Sequence, residues 1–532
     1  MPTKKTTQTT ESKETAAKKP AAQKAVKADK TPPRTAASAS AKKAAPVKAA
    51  ESVKRRVLFV SGEVLPFVGT GGLGEVAGSL PQAINGLNAG YEVRVILPYY
   101  SLVIPEEYKK DFVFLGSITV HLSWRSQYCG VYEYTFGNVR YYFLDNEYYF
   151  KRANVYGHFD DGERFAFFSK AVIDVLPLID YFPDILHVND WQTALVPIYY
   201  KLFYQYQYRY CDIKTIFTIH NIEYQGKFPK ECMEDLLGIS SAEYFSLEHS
   251  GNVNLMKGAI DYSDAVSTVS PTYASEILSD YYAHDLAGVL AKNRRKLSGI
   301  LNGIDVNFYD PSVDKALFAN YGSGDISGKV ENKIELQRML DLTVNPDIPM
   351  ITVVSRLVAH KGIDILKGLC GELLASDVQL VILGKGDAEY EAYFAHQQRQ
   401  YPHKIAAIIA YNKDLSRKIY AAGDIFLMPS KSEPCGLAQM IASRYGTVPV
   451  VRETGGLYDS IHDCGDAGDA GNGFTFALYT AQDFLHAVHR ALNLYKNKES
   501  WNKLCAKIME VDFSWNLSAR EYIKLYDATL NR

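Results

Sequence analysis

The chain has 532 residues, 47% of them apolar and 22% charged, the composition of a globular protein too long for one core. Its net charge of −2 conceals a split, because residues 1–54 carry 13 Lys and Arg against four acids and leave the remainder acidic, which argues against a nucleic-acid-binding core. The seven scattered cysteines lack a CxxC pair and no run of about 18 apolar residues exists, so a disulfide framework, a thiolate zinc site and a membrane partner are not expected.

Residues 1–54 are Lys, Ala, Thr and Ser with too little apolar surface to offset chain entropy, and are expected to form a disordered basic tail. Lysine dominates over the single Arg34 and acids are interspersed, which points to the cytoplasm rather than a plastid transit peptide. Order is expected from Val57-Leu58-Phe59-Val60, a continuous apolar strand. The glycine turn Gly69-Thr70-Gly71-Gly72-Leu73 follows, then a helix carrying Val76, Leu80, Ile84 and Leu87, with a kink expected at Pro81.

Further strands are predicted over Glu92–Leu97, Phe112–His121 and Val139–Leu144, the last two as antiparallel hairpin pieces. Alternation of strand and helix then resumes: helix Glu163–Leu178, strand Asp184–Val188, a helix from Trp191, strand Lys214–Ile219, a helix from Val253 and strand Asp264–Thr268. The tyrosine-rich run Tyr199–Tyr210 reads as an amphipathic helix, with a glucan-holding surface as the alternative. A second set of strands covers Met350–Ser355, Gln379–Leu383, Ile405–Ile409, Ile425–Met428 and Val448–Val451. Such alternation means two α/β domains, each with a parallel sheet covered on both faces, and a cleft between them.

In open α/β sheets ligands bind beyond the carboxyl ends of the strands, and that is where polar residues collect here. Asp190 follows one strand, either capping the next helix or meeting substrate; His220 and Asn221 end another, as scaffold or as ligand-facing groups. Arg356 and Lys361 are two cations five residues apart beside a helix start, suited to a diphosphate, though a solvated turn has the same composition. Gly71 and Gly72, Gly384, and the Thr454-Gly455-Gly456 loop supply further backbone N–H groups at strand-to-helix turns. The turn Pro429 to Leu437 places Glu433 at the end of a buried strand, with Pro434 fixing the bend and Gly436 allowing close approach. Cations, glycine loops and carboxylates at successive strand ends are what sugar transfer from a nucleoside diphosphate requires.

From Val57 to Arg532 these motifs, in this order, resemble the bacterial glycogen synthases and plant starch synthases, retaining glycosyltransferases of the two-domain GT-B fold. The resemblance is carried by Thr70 to Leu73, His187 to Trp191, Phe217 to Asn221 with Tyr224-Gln225-Gly226, Val269 to Tyr273, Leu301 to Asp305, Ser355 to Leu357 with Lys361-Gly362, Pro429 to Leu437, Tyr445 to Pro449 with Thr454 to Leu457, and Asp512 to Trp515. It implies two facing Rossmann-like domains, 55–302 and 303–511, with a helix in 512–532 crossing back to the first. It also implies an ADP-glucose donor, an α-glucan acceptor and no metal.

By the same resemblance Arg356 and Lys361 would hold the diphosphate, and Glu433 the donor glucose, with Cys435, Gly436 and Leu437 lining its pocket. His220 would flank the anomeric carbon, Asp190 would lie near the transferred glucose, and Tyr411 would stack on the base. Same-face attack by the acceptor hydroxyl is expected over a covalent intermediate on Glu433. Two departures stand out: Gly69 replaces the family's usual lysine, with Lys385 as a candidate compensation, and Glu75 stands where Asp is common. They keep open a rival, a glucan-binding relative that does not extend the chain.

Overall fold

Val57 to Val60 present no polar face, so this stretch is stable only as a strand covered on both sides, and it forms the centre of the first sheet as β1 (Arg55–Val60). In the computed structural model, which describes residues 54–532, β1 pairs in parallel with β2 (Tyr91–Pro98). The basic tail over residues 1–53 lies outside the described residues. The chain then adds β3 (Val113–Leu122), β4 (Arg125–Phe136), β5 (Val139–Asp145), β6 (Ile185–Asn189) and β7 (Lys214–Ile219). Three short strands, β8 (Lys227–Phe228), β9 (Glu248–His249) and β10 (Asn252–Asn254), form a small antiparallel sheet of their own. β11 (Ala265–Thr268) and β12 (Leu297–Gly299) complete a nine-stranded sheet of order β12-β11-β7-β6-β1-β2-β5-β4-β3, in which β4 alone runs antiparallel to its neighbours.

The second sheet comprises β13 (Met350–Val354), β14 (Gln379–Leu383), β15 (Ile405–Ile408), β16 (Ile425–Met428), β17 (Val448–Arg452) and β18 (Phe474–Phe476). Its order is β15-β14-β13-β16-β17-β18, with every pair parallel. In both sheets the strand order reverses at the first strand, β1 or β13, which makes the carboxyl ends of these strands the natural crevice. This is the GT-B arrangement.

Each sheet buries its own apolar core, and a third cluster joins them. Val269, just past β11, packs with Ile304, Phe426, Met428, Cys435, Leu457 and Phe513. The helix Trp515–Leu530 then returns to the first lobe and buries Trp515, Ala519, Tyr522 and Tyr526 in that lobe's core. His187 anchors it: Nδ1 lies 2.8 Å from the Tyr526 hydroxyl and Nε2 2.7 Å from Thr218 Oγ1. Burial pushes the His187 pKa down to about 3, so it is a neutral scaffold residue.

Several elements differ from the sequence expectation. β4 was not expected, because Arg125 to Phe136 mixes polar and apolar residues on both faces; it is held between β3 and β5. The helix across Pro81 is a single element, Gly72–Gly86. The helix expected from Trp191 is a 3-10 turn, a short α-helix and a π turn ending at Tyr204, so the amphipathic helix expected over Tyr199–Tyr210 does not run its full length. Tyr206 and Tyr208 are consequently exposed while Tyr204 and Tyr210 are buried. Asn252–Asn254 is strand, and the helix begins at Leu255, where the Asn254 side chain accepts from Lys257 N. No described helix is long and apolar enough to cross a membrane.

The anchor of the returning helix is open to a direct check. Tyr526→Phe leaves a buried imidazole nitrogen unpartnered and should cost about 1–3 kcal/mol of stability, read as a lower urea midpoint. Lys524→Ala on the exposed face of the same helix should leave the midpoint in place.

Candidate active site

Tyr224 from the first lobe and Arg356, His360, Asp364, Asp387 and Lys431 from the second line a cleft of about 500 Å³. Tyr224 follows β7, and the adjoining ends of β6 and β7 carry Asp190 and His220. Asp190 leaves β6 at φ 55, a left-handed backbone, and its side chain does not cap the turn that follows. Its Oδ1 instead accepts from His220 N at 2.7 Å and Asn221 N at 3.4 Å, locking the two strand ends together. Asn221 Oδ1 accepts from Glu223 N at 3.0 Å and turns the chain away from the strand.

The His220 ring has a defined orientation. Asn189 Nδ2 donates to Val60 O at 2.9 Å, which points Asn189 Oδ1 at His220 Nε2, 2.9 Å away. Nε2 therefore carries the proton and Nδ1 presents its lone pair. Burial lowers the His220 pKa to about 3, so the ring is neutral at physiological pH. Burial raises Asp190 to about 7, opposed by the two backbone N–H groups it accepts.

The glycine turn before the first helix contributes an open edge. Thr70 donates through its backbone N–H and its hydroxyl to Glu63 Oε2, the latter at 2.7 Å, and Glu63 is a carboxylate whose pKa is raised by burial. Gly71 and Gly72 are exposed, and no side chain caps the helix they begin. Gly69 has a packing reason to be glycine: a Cβ there would lie 2.7 Å from Leu65 Cδ2. The family's lysine cannot be placed at 69 unless Leu65 moves.

On the opposite wall glycines bring three strand exits together. A Cβ on Gly384 would lie 1.9 Å from Ser355 O, and one on Gly362, at φ 77, would lie 2.1 Å from Pro429 O. Gly384 N donates to Ile408 O at 3.1 Å, so this glycine shapes the Arg356 loop by backbone packing. The close approach at Gly362 delivers Lys361 to the Pro429–Leu437 turn. Lys361 Nζ donates to Glu433 Oε2 at 2.6 Å, and Ser430 Oγ donates to the same oxygen at 3.1 Å. Glu433 is 5% exposed.

Arg356 is exposed, its Nη2 3.5 Å from His360 Nε2, and the His360 pKa is lowered by burial and then by Lys361 and Arg356. With Lys431 on the same wall, one face of the cleft carries two cations beside the His360 imidazole, together with the carboxylates Asp364 and Asp387. Tyr411 is 88% exposed, its ring free to stack, next to Asn412, which caps the following helix. Cys435 is buried, its thiol pushed up to about 12 by desolvation, and Gly436 takes φ 74 ahead of Leu437, the N-cap of the helix Ala438–Arg444.

Thr454, Gly455 and Gly456 stand behind the Glu433 turn. Cβ atoms on the two glycines would lie 2.0 Å from Glu433 O and 2.2 Å from Cys435 O. Gly456 N donates to Glu433 O at 3.2 Å and Gly455 N to Glu276 Oε1 at 3.1 Å, so both amides are engaged by protein. Sequence reasoning passed over Lys431, His360, Glu63 and Glu276. Lys431 alone had a visible signal, its place two residues before Glu433.

Relatives of known kind share this architecture. Residues 56–292 match the family described as starch synthase catalytic domain, and residues 340–507 match glycosyl transferases group 1. A glycogen synthase of Bacillus cereus is 46% identical over 477 residues, covering 89% of this chain and 99% of that one. One from Alkaliphilus metalliredigens is 45% identical over 474 residues, 88% of this chain and 99% of its own. Among solved structures, the catalytic domain of starch synthase IV from Arabidopsis thaliana, bound to ADP and acarbose, superposes with a TM-score of 0.84 at 33% identity. It covers 90% of this chain and 100% of that one.

The raised Asp190 pKa has a signed consequence for stability. The unfolded carboxyl titrates near its ordinary 3.8 and the folded one near about 7, so between them the folded chain holds a proton that the unfolded chain has lost. Its contribution is complete below the lower value and is lost as pH rises through the upper one. Asp190→Asn keeps an acceptor for His220 N without the charge. Its urea midpoint should gain on that of the parent between about pH 4 and about pH 7, and a constant difference would exclude the titration.

Proposed function

This chain belongs to the glycogen synthase and starch synthase family, and we propose that it transfers glucose from ADP-glucose to the non-reducing end of an α-1,4-glucan with retention of configuration. The observation that carries this reading is the Lys361–Glu433 pair at 2.6 Å, its lysine next in sequence to His360 of a cleft wall that Arg356 and first-lobe Tyr224 also line. One cation thus holds the carboxylate assigned to the sugar, beside the Arg356 wall assigned to the diphosphate.

Arg356 can fork onto two phosphate oxygens while Lys361 supplies a compact charge, so negative charge developing on the leaving diphosphate is met by groups already in place. Glu433 presents its second oxygen to the glucose hydroxyls. His220, neutral and fixed by Asn189, lies against the sugar without placing a positive charge beside an oxocarbenium-like centre. Asp190 holds the His220 backbone in place and offers acceptor capacity close to the transferred sugar. Tyr411 offers a face for the base.

Retention is read here as same-face attack, the acceptor hydroxyl passing its proton to the departing phosphate oxygen as the new glycosidic bond forms. The geometry supporting this is the double engagement of Glu433 Oε2 by Lys361 and Ser430, which reduces its nucleophilicity. The adenine preference rests on the ADP held by the Arabidopsis relative. The charge missing at position 69 is made up by Lys431 and by exposed Lys385, whose carbonyl accepts from Leu357 N at 2.9 Å beside Arg356.

With ADP-glucose and glycogen the protein should release ADP and lengthen glucan chains, and ADP-glucose should outcompete UDP-glucose. A chain that binds glycogen but releases no ADP would establish the non-extending rival instead. Lys361→Ala should lower kcat by about 10²–10³-fold, and unchanged turnover would remove it from the diphosphate site. Gly69→Lys alone should lower thermal stability because of Leu65, whereas Leu65→Ala with Gly69→Lys should restore stability and lower the donor KM.

A further inference from the structure

The helices Pro271–Glu276 and Gly455–Ser460 belong to different lobes, yet each sends a carboxylate from its last turn to the other's amino end. Thr272 donates through its backbone N–H and its hydroxyl to the two oxygens of Asp459, at 2.9 and 2.7 Å. In return the Thr454 hydroxyl and Gly455 N–H donate to Glu276 Oε1 at 2.9 and 3.1 Å. A threonine before a helix ordinarily accepts from that helix's own N–H groups. Thr454 does not; it gives its proton across the cleft, and a carboxylate from the other lobe does the capping.

Both helices lead directly to the reacting centre. Tyr273, next to Thr272, is buried and accepts Ile222 N on its hydroxyl at 3.3 Å, and Ile222 lies two residues beyond His220. On the other side Gly455 and Gly456 press against the carbonyls of Glu433 and Cys435 at distances no side chain allows. His220, Ile222, Tyr273, the crossed carboxylates, Gly455 and Glu433 thus form one connected path over the base of the cleft.

Resting on the reading of His220 and Glu433 as the transfer centre, we infer that Glu276 and Asp459 are positioning residues that fix the separation and register of those two groups across the lobes. Each lobe alone has the means to cap its own helix, as Ser270 Oγ shows by accepting from Tyr273 N at 3.0 Å. The crossed arrangement adds nothing to either lobe by itself. Its effect falls on their relative placement, where misplacement by about 1 Å can cost about a hundredfold in rate.

The full-length chain, assayed with ADP-glucose and glycogen, tests this. Glu276→Ala should lower kcat about tenfold or more with the donor KM within about twofold, and should raise the share of glucose lost to water relative to glucan. Glu276→Gln, which keeps an oxygen acceptor, should stay within about threefold of the parent, and Glu276→Ala with Asp459→Ala should be little slower than the slower single variant. A kcat within about twofold of the parent in both alanine variants, a glutamine variant as slow as alanine, or an unchanged water share each overturns the inference. Amide hydrogen exchange gives an answer independent of turnover: Glu276→Ala should speed exchange at Ile222 as well as at Gly455 and Gly456. Faster exchange confined to Gly455 overturns the positioning role. Failure of the parent chain to transfer glucose overturns the functional reading alone.

Discussion

Lys361 reaching Glu433 across two strand exits is the contact on which the rest of the site depends. Burying an ion pair gains little stability, because desolvating both charges consumes most of what their attraction returns, and an apolar pair of the same volume would serve a fold as well. The surroundings accordingly serve to keep this pair in place. Gly362 allows the Lys361 turn to lie on Pro429, Ser430 shares the carboxylate oxygen, and Gly455 and Gly456 fit beneath the turn from behind. A fixed ammonium beside a fixed carboxylate needs no reorganisation when charge moves between sugar and phosphate.

The two walls divide the electrostatic work. The second lobe lines the cleft with Arg356 and Lys431 beside the carboxylates Asp364 and Asp387, while the first carries a histidine held neutral and a carboxyl that burial raises to about 7. Under the proposed transfer, a cation in the first lobe would repel the developing sugar cation, whereas Arg356 and Lys431 of the second would meet the diphosphate.

Much of this was legible in the sequence because strand ends are local. The apolar runs at Val57–Val60 and Ile425–Met428 announce strands, and the polar residues after them must lie at the crevice whatever the tertiary detail. Thus Asp190, His220, Arg356 and Glu433 were named without coordinates. Glu276, Asp459 and Glu63 were not, because their meaning is entirely tertiary: each is a carboxylate on an unremarkable helix or turn whose partner is distant in sequence or hidden in a loop. β4 escaped for a related reason, since its neighbours rather than its own alternation make it a strand. Asp190 illustrates how a local rule misleads, for its position suggests a helix cap and its left-handed backbone turns the carboxylate toward the next strand instead.

The return of the last helix to the first lobe also governs how the molecule is made. Trp515, Tyr522 and Tyr526 are bricks of the first lobe's core, and Nδ1 of His187 finds its partner on Tyr526. A ribosome delivers those residues only after the whole second lobe, so the first lobe must wait, with a hydrophobic groove uncovered, until the second has been made. Closure of the earlier domain therefore trails synthesis of the later one, and a message cut short before Trp515 leaves the first lobe unfinished however well the second folds.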